Sequence, residues 1–209
     1  MKNPWLKIPA IDYESHMAEV GQSRILGSLT RQTLRKYNPE KFLLPGCASG
    51  NGLEHIDNNV TSQVYALDIN PEYLEFTVNR FQHRIPNLRT ICCDLLTDKL
   101  ELTDIDLAFC GLLLEYVDPH IALPKIIGTL NKQGNLVIVI QRNNSASFVS
   151  KTRYSSLEKL SGIVSDVLPE EIDNICRQIG MTKAFQEEIP VNDGKSFIVM
   201  DFSFRNKGG

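Results

Sequence analysis

The sequence predicts an α/β protein built on a mostly parallel sheet with helices on both faces. Three observations predict it. Short apolar runs at 42–44, 64–67, 90–93, 105–110 and 136–140, several of them β-branched and bounded by Gly, Asn or Asp, have the character of strands buried on both sides. Helical patterns alternate with these runs, which calls for right-handed crossovers that place helices on both faces. A glycine-rich turn follows the first run, at the point where an open α/β sheet takes its ligand.

Taken in order, residues 1–40 read as an N-terminal helical cap of one or two helices, with Tyr13, Met17, Val20 and Ile25 on apolar faces. The first strand, 42–44, runs through the glycine turn into a helix. The second, 64–67, precedes a helix opening at Asn70-Pro71-Glu72. There Asn supplies an N-cap, Pro suits the first helical position, and an acid faces the positive helix end. Strands follow at 90–93 and 105–110. A helix over about 121–130 then leads to the fifth strand, and another from Pro169 to Gln178 stops near Gly180. The last two strands, 182–188 and 196–204, are joined by Ile-Pro-Val-Asn-Asp-Gly-Lys. That link is too short for a crossover helix, so the two pair as an antiparallel hairpin at one sheet edge. The tail 205–209 is expected to fray. The expected organisation is one domain over 1–209, with the cap at 1–40, a core at 41–140 and a polar excursion plus strand pair at 141–209.

Composition narrows the function classes. The chain has 209 residues, 22 Lys+Arg against 25 Asp+Glu, and a formal charge of −3. A protein that binds nucleic acid through its phosphates carries a basic excess, and this chain has none. Five cysteines, Cys47, Cys92, Cys93, Cys110 and Cys176, form no CxxC pair, and the four histidines form no metal-spaced cluster. The opening Met-Lys-Asn-Pro-Trp-Leu-Lys lacks a signal-peptide stretch, and no apolar run reaches the roughly 18 residues of a membrane span. The expectation is a soluble, cytoplasmic, reduced protein with no metal, no nucleic-acid partner and no membrane partner.

The glycine turn reads Leu44-Pro-Gly46-Cys47-Ala48-Ser-Gly50-Asn-Gly52. Glycines here permit positive φ and let a ligand lie against bare backbone. The dinucleotide spacing G-x-G-x-x-G fails at Ala48 and Asn51, no Gly-Lys-Ser/Thr follows, and Ser49 lacks the glycines of a nucleophile elbow. Asp68 ends the second strand, where an acid can accept both hydroxyls of a ribose, and Asp94 follows the third. Taken alone, Asp68 also reads as a helix-flanking acid and Asp94 as a turn former.

The spacing G-x-A-x-G-x-G resembles the first motif of class I S-adenosylmethionine-dependent methyltransferases. Four further segments resemble that family in order: Val-Tyr-Ala-Leu-Asp68, Cys-Cys-Asp94-Leu95, Asp-Ile-Asp-Leu-Ala-Phe-Cys110-Gly, and Leu130-Asn-Lys-Gln-Gly-Asn-Leu-Val-Ile-Val-Ile. The resemblance covers about 40–140. It implies a Rossmann-like, seven-stranded sheet with an antiparallel last strand, and S-adenosyl-L-methionine as cofactor. It implies a cofactor site made of Gly46, Cys47, Ala48, Gly50, Gly52, Asp68, Ile69, Asp94, Leu95 and Cys110. The implied function is methyl transfer to a small-molecule acceptor. The alternatives are a non-catalytic methyltransferase-like domain binding a nucleoside or a protein, and a nucleotide-dependent oxidoreductase, which the failed dinucleotide spacing disfavours.

The family places an acid two residues before the first glycine, where it helps fix the cofactor's ammonium. Here that residue is Leu44. Losing a charge-assisted hydrogen bond costs about 1.5–3 kcal/mol unless loop carbonyls or Glu14 substitute. Methyl displacement from a sulfonium needs alignment and a dry pocket, with a base only for a protonated nucleophile. Candidates for that role are His16, Tyr13 and Glu115, the last beside Tyr116. Each also reads as an ordinary structural residue. Arg142 and Arg153 in the excursion suit an acidic acceptor or a solvated surface equally.

Overall fold

The computed structural model describes residues 3–143, 148–192 and 194–204. Two helices lead in, α1 (Ala10–Glu19) and α2 (Gln22–Tyr37). α2 buries Leu26, Leu29, Thr30, Thr33 and Leu34, a three-to-four-residue spacing that gives it one apolar face. It ends at Asn38 in the left-handed conformation, with the Asn38 N–H donating to the Leu34 carbonyl.

Seven strands form one sheet: β1 (Lys41–Pro45), β2 (Gln63–Asp68), β3 (Leu88–Cys92), β4 (Ile105–Gly111), β5 (Leu130–Asn143), β6 (Met181–Asn192) and β7 (Lys195–Phe204). Their order is β3-β2-β1-β4-β5-β7-β6. All neighbours are parallel except β7, which runs antiparallel to both β5 and β6. The sheet reverses its order at β1/β4, so a crevice opens there beyond the carboxyl ends.

Alternation along the strands divides the core. Phe42, Leu44, Val64, Ala66, Leu107 and Phe109 pack toward α2 and α3 (Pro71–Phe81). Leu43, Leu67, Ala108, Cys110, Ile138 and Met200 pack toward α4 (Pro119–Ile127) and α5 (Pro169–Gln178). Both faces are thus apolar, as continuous hydrophobic strand runs require.

The caps behave as their sequences require. Asn70 accepts from the Glu72 N–H (3.0 Å) with Pro71 at the helix start. Asp118 accepts from the His120 N–H (2.8 Å) to open α4 at Pro119. α4 therefore begins and ends earlier than the expected 121–130. It contains Pro124, stops at Gly128, and gives way to β5 at Leu130. β5 is correspondingly longer than 136–140, with a register shift against β4 between Ile105 and Leu107.

One expected element is missing. The glycine turn does not enter an α-helix; a single 3-10 turn, Leu53–His55, is followed by an irregular link to β2. Gly50 (φ +82°) and Gly52 (φ +98°) both hold left-handed backbone, which interrupts a right-handed helix. The neighbouring space is also filled: a Cβ on Gly52 would stand 2.7 Å from Thr30 Oγ1 of α2. α2, although earlier in the chain, covers this part of the sheet. No helix among the described residues is long and apolar enough to cross a membrane, and the five cysteines are free. The expected fraying tail lies outside the described residues.

Candidate functional site

β1 delivers the chain to Gly46, whose φ of +66° turns the loop over the ends of β1 and β2. The Cys47 N–H donates to the Leu67 carbonyl (2.8 Å), and Thr77 of α3 donates to the Ala48 carbonyl (3.1 Å). The Ala48 N–H donates to Asp68 Oδ2 (2.9 Å), while the Asn70 N–H donates to Asp68 Oδ1 (2.9 Å). Asp68 thus ties the loop to the start of α3. Burial pushes its carboxyl up to about 6, although N–H groups of Asn70, Ala48 and Ile69 pull the other way.

Gly46, Ala48 and Asp68 form one wall of a cleft of about 710 Å³, measured out to open solvent. The floor is Leu67, Asp68 and Ile69; Cys93, Asp94, Leu95 and Leu96 close one end, and Gly111, Leu112 and Leu113 the other. Asp94 accepts from the Leu96 N–H (2.9 Å). Ala48 (φ +46°) and Leu112 (φ +53°) hold left-handed backbone without being glycine. Such strain collects at ligand sites, where the surrounding structure over-determines it.

The roof comes from the chain's beginning. Trp5 and Tyr13 stand edge-on to each other (5.8 Å between centroids), Trp5 meets Tyr116 at 4.9 Å, and Tyr13 lies 5.7 Å from Tyr73. The Asn70 amide donates to the Trp5 carbonyl (2.9 Å), fastening this segment to α3. Tyr73 is buried at the cleft wall with a hydroxyl that has no partner among the described residues.

A second chamber, about 490 Å³, shares Trp5, Tyr13, Leu112 and Tyr116 with the cleft. Glu115 lies on it, 1% exposed. Its Oε1 accepts the Gln141 N–H (2.6 Å); Oε2 has no partner among the described residues. Burial raises its carboxyl to about 7. His16 Nδ1 lies 2.9 Å from Thr152 Oγ1, and burial, then the charge of Lys195, holds its pKa below the ordinary value. Lys195 Nζ donates to the Phe148 carbonyl (2.7 Å) and to Ser150 Oγ (2.8 Å).

The residues singled out in the sequence therefore divide. Gly46, Ala48, Asp68, Ile69, Asp94, Leu95 and Tyr13 line the cleft; His16, Glu115 and Tyr13 line the chamber. Gly50 and Gly52 do not. A Cβ at Gly50 would stand 2.8 Å from the Phe81 ring and one at Gly52 2.7 Å from Thr30 Oγ1, so both glycines make room for helix packing. Cys47 is buried in the core beneath the loop, and Cys110 points to the opposite face against α4 and α5. Gly111 faces the cleft in its place. Glu14 pairs with Arg80 (2.6 Å) and does not line the cleft. Arg142 and Arg153 are exposed and pair with Glu188 and Glu19. Of the excursion, residues 144–147 lie outside the described residues, while Phe148, Val149, Ser150, Leu157 and Leu160 line the chamber.

Sequence reasoning missed Asn3, Trp5, Tyr73, Gln141 and Lys195. Trp5 carried a usable signal, being the chain's single tryptophan beside a proline-started turn. Gln141 and Lys195 carried none, since pairing of β5 with β7 brings them together. No group of acidic, His or Cys side chains among the described residues has metal-ligand geometry.

Residues 43–138 match a family model described as a methyltransferase domain. No curated protein matches the chain. Among solved structures, the N-methyltransferase NodS from Bradyrhizobium japonicum WM9, in complex with S-adenosyl-L-homocysteine, is 14% identical. The match covers 93% of this chain and 99% of that one with a TM-score of 0.67. The 1,6-didemethyltoxoflavin-N1-methyltransferase of Burkholderia thailandensis is 15% identical over 88% of this chain and 78% of its own, with a TM-score of 0.63. A 4+2 cyclase, SpnF, is 12% identical over 88% and 80%, with a TM-score of 0.67. At such identities the likeness to these structures is one of fold.

Proposed function

We propose that the chain is a class I, S-adenosylmethionine-dependent methyltransferase that transfers a methyl group to a small molecule seated in the second chamber, a reading supported by the match of residues 43–138 to a methyltransferase-domain model. S-adenosyl-L-methionine supplies, when bound, a methyl group already activated by a positively charged sulfur. The cleft suits that cofactor on its own geometry. Gly46 gives bare backbone where a Cβ would come within 2.8 Å of Leu113 Cδ1, so a larger residue would fill the cradle. Asp68 has lone pairs left over from its two N–H bonds, enough to accept ribose hydroxyls. Asp94 and the apolar Leu95 and Leu96 suit an adenine.

The ammonium has no acid waiting for it in the loop, because Leu44 packs in the core. Loop carbonyls and the rings of Trp5, Tyr13 and Tyr116 are the groups left to face positive charge. The roof also keeps water from the junction of cleft and chamber, where an acceptor would meet the methyl group.

The observation that carries this reading is the Asp68 carboxylate held in the cleft wall beside the bare Gly46. Asp68→Ala is expected to weaken S-adenosyl-L-homocysteine binding by about 1–3 kcal/mol, roughly ten- to hundredfold, in calorimetric titration of a variant whose circular dichroism matches wild type. Wild-type affinity should also fall as pH drops through about 6, because protonation removes an acceptor from Asp68. Unchanged affinity in the folded variant would overturn the assignment. Leu44 also favours a second reading, a domain that binds a nucleoside without transferring a group; methylthioadenosine would then bind as tightly as S-adenosyl-L-homocysteine.

A further inference from the structure

We propose that the methyl acceptor is a small amine and that Glu115 receives the proton the amine must lose before it reacts. The proposal rests on the methyl-transfer reading and names the substrate class of the same site. Glu115 Oε2 is a carboxylate oxygen, nine-tenths buried and more, with no donor among the described residues. Such an oxygen is costly to leave unmatched. The Gln141 N–H holds Oε1 and so fixes the carboxylate plane, leaving Oε2 as the acceptor the chamber offers a ligand.

The surroundings favour an amine over a hydroxyl. Tyr116, next in the chain to Glu115, stands with Trp5, Tyr13 and Leu112 at the boundary between the chamber and the cofactor cleft. Aromatic rings at such a boundary attract a cation. Raising the carboxyl to about 7 brings it nearer the pKa of an alkylammonium, though still below it, and leaves it far below that of an alcohol, so the ammonium proton is the accessible one. The other titratable groups facing the chamber do not compete for this place. Lys195 spends two of its three N–H donors on Phe148 and Ser150, and burial lowers its pKa. His16 is turned to Thr152, and the Tyr13 and Tyr116 hydroxyls are held protonated by burial.

The step balances. The alkylammonium gives one proton to Glu115 Oε2, and its freed lone pair forms a bond to the methyl carbon. The carbon–sulfur bond breaks with its electron pair remaining on sulfur, which becomes a neutral thioether. The nitrogen leaves as a methylated ammonium, and Glu115 returns its proton to water once the product has gone.

The test uses the full chain saturated with S-adenosyl-L-homocysteine and two matched pairs of probes: propylamine against 1-propanol, and 2-phenylethylamine against 2-phenylethanol. At pH 8 each amine should bind wild type about tenfold tighter than its alcohol. Glu115→Gln retains an oxygen for the Gln141 N–H and should erase that preference while binding S-adenosyl-L-homocysteine as wild type does. With S-adenosyl-L-methionine, mass spectrometry should find N-methylated amine, and the acidic limb of kcat/KM near pH 7 should vanish in Glu115→Gln. Equal affinity for amine and alcohol in wild type, or an amine preference that survives in Glu115→Gln, would overturn this proposal alone. Failure of wild type to bind S-adenosyl-L-homocysteine would overturn the methyl-transfer reading and this proposal with it.

Discussion

Leu44→Asp should destabilise the protein by about 3–5 kcal/mol and leave its affinity for S-adenosyl-L-methionine no better than wild type. Leu44 is 4% exposed and packs between the sheet and the α2/α3 layer, opposite Ala66 in the β1–β2 register. A carboxylate there would lose its hydration, find no cation, and leave a cavity where the isobutyl group had been. Burial would raise its pKa, so the deficit should be smallest below about pH 4, the ordinary aspartate range, and should grow as pH rises toward the folded-state value. Urea denaturation at pH 4 and pH 8 measures this directly. A stable Leu44→Asp protein with tighter cofactor binding would mean that the strand end can turn this side chain into the cleft.

Glu115→Gln should stabilise the protein at pH 8 and do little at pH 4.5. The wild-type carboxyl has a folded value of about 7 against an ordinary 4.5. Between those values the folded state holds a proton that the unfolded chain has released. Stability from this group is therefore complete below pH 4.5, declines as pH rises through about 7, and is level above that. A shift of this size corresponds to about 3 kcal/mol. The amide removes the buried charge but replaces Oε2 with an NH₂ in need of an acceptor, so the net gain at pH 8 should be nearer 2 kcal/mol. Asp68, raised to about 6 from 3.8, adds a parallel decline over its own lower window in both proteins. Identical pH profiles for wild type and Glu115→Gln would show that Oε2 is solvated after all.

Much of the architecture was legible because local chemistry and global fold agree. The short apolar runs became strands β1 to β5, Asn70-Pro71-Glu72 opened α3, and α5 spans Pro169–Gln178 as its pattern required. The short link after 188 produced the antiparallel β6–β7 pair. The failure at the glycine turn has a physical cause. A run of glycines reports that backbone must bend or something must come close, but not what. At Gly46 the neighbour is Leu113, which lines the cleft with it; at Gly50 and Gly52 it is Phe81 and Thr30, away from the cleft. Strand alternation turns Cys110 toward α4 and α5, and the next residue, Gly111, lines the cleft.

The candidate site was half legible. Asp68 and Asp94 sit at strand ends, and position along the chain is enough to find such residues. The roof and the chamber are assembled from segments far apart in sequence: Trp5 reaches Tyr116, and Glu115 reaches Gln141. Glu115 was visible as a residue after the fourth strand. The isolation of its Oε2 from any donor among the described residues, which gives it chemical meaning, exists only in the fold.

The most direct measurement is calorimetric titration of the wild-type chain with S-adenosyl-L-methionine and S-adenosyl-L-homocysteine, with NAD as control. A cleft built as described here should bind both adenosyl ligands at micromolar dissociation constants, roughly −8 kcal/mol, and NAD without measurable heat. No heat and no thermal shift from either adenosyl ligand at millimolar concentration would contradict it.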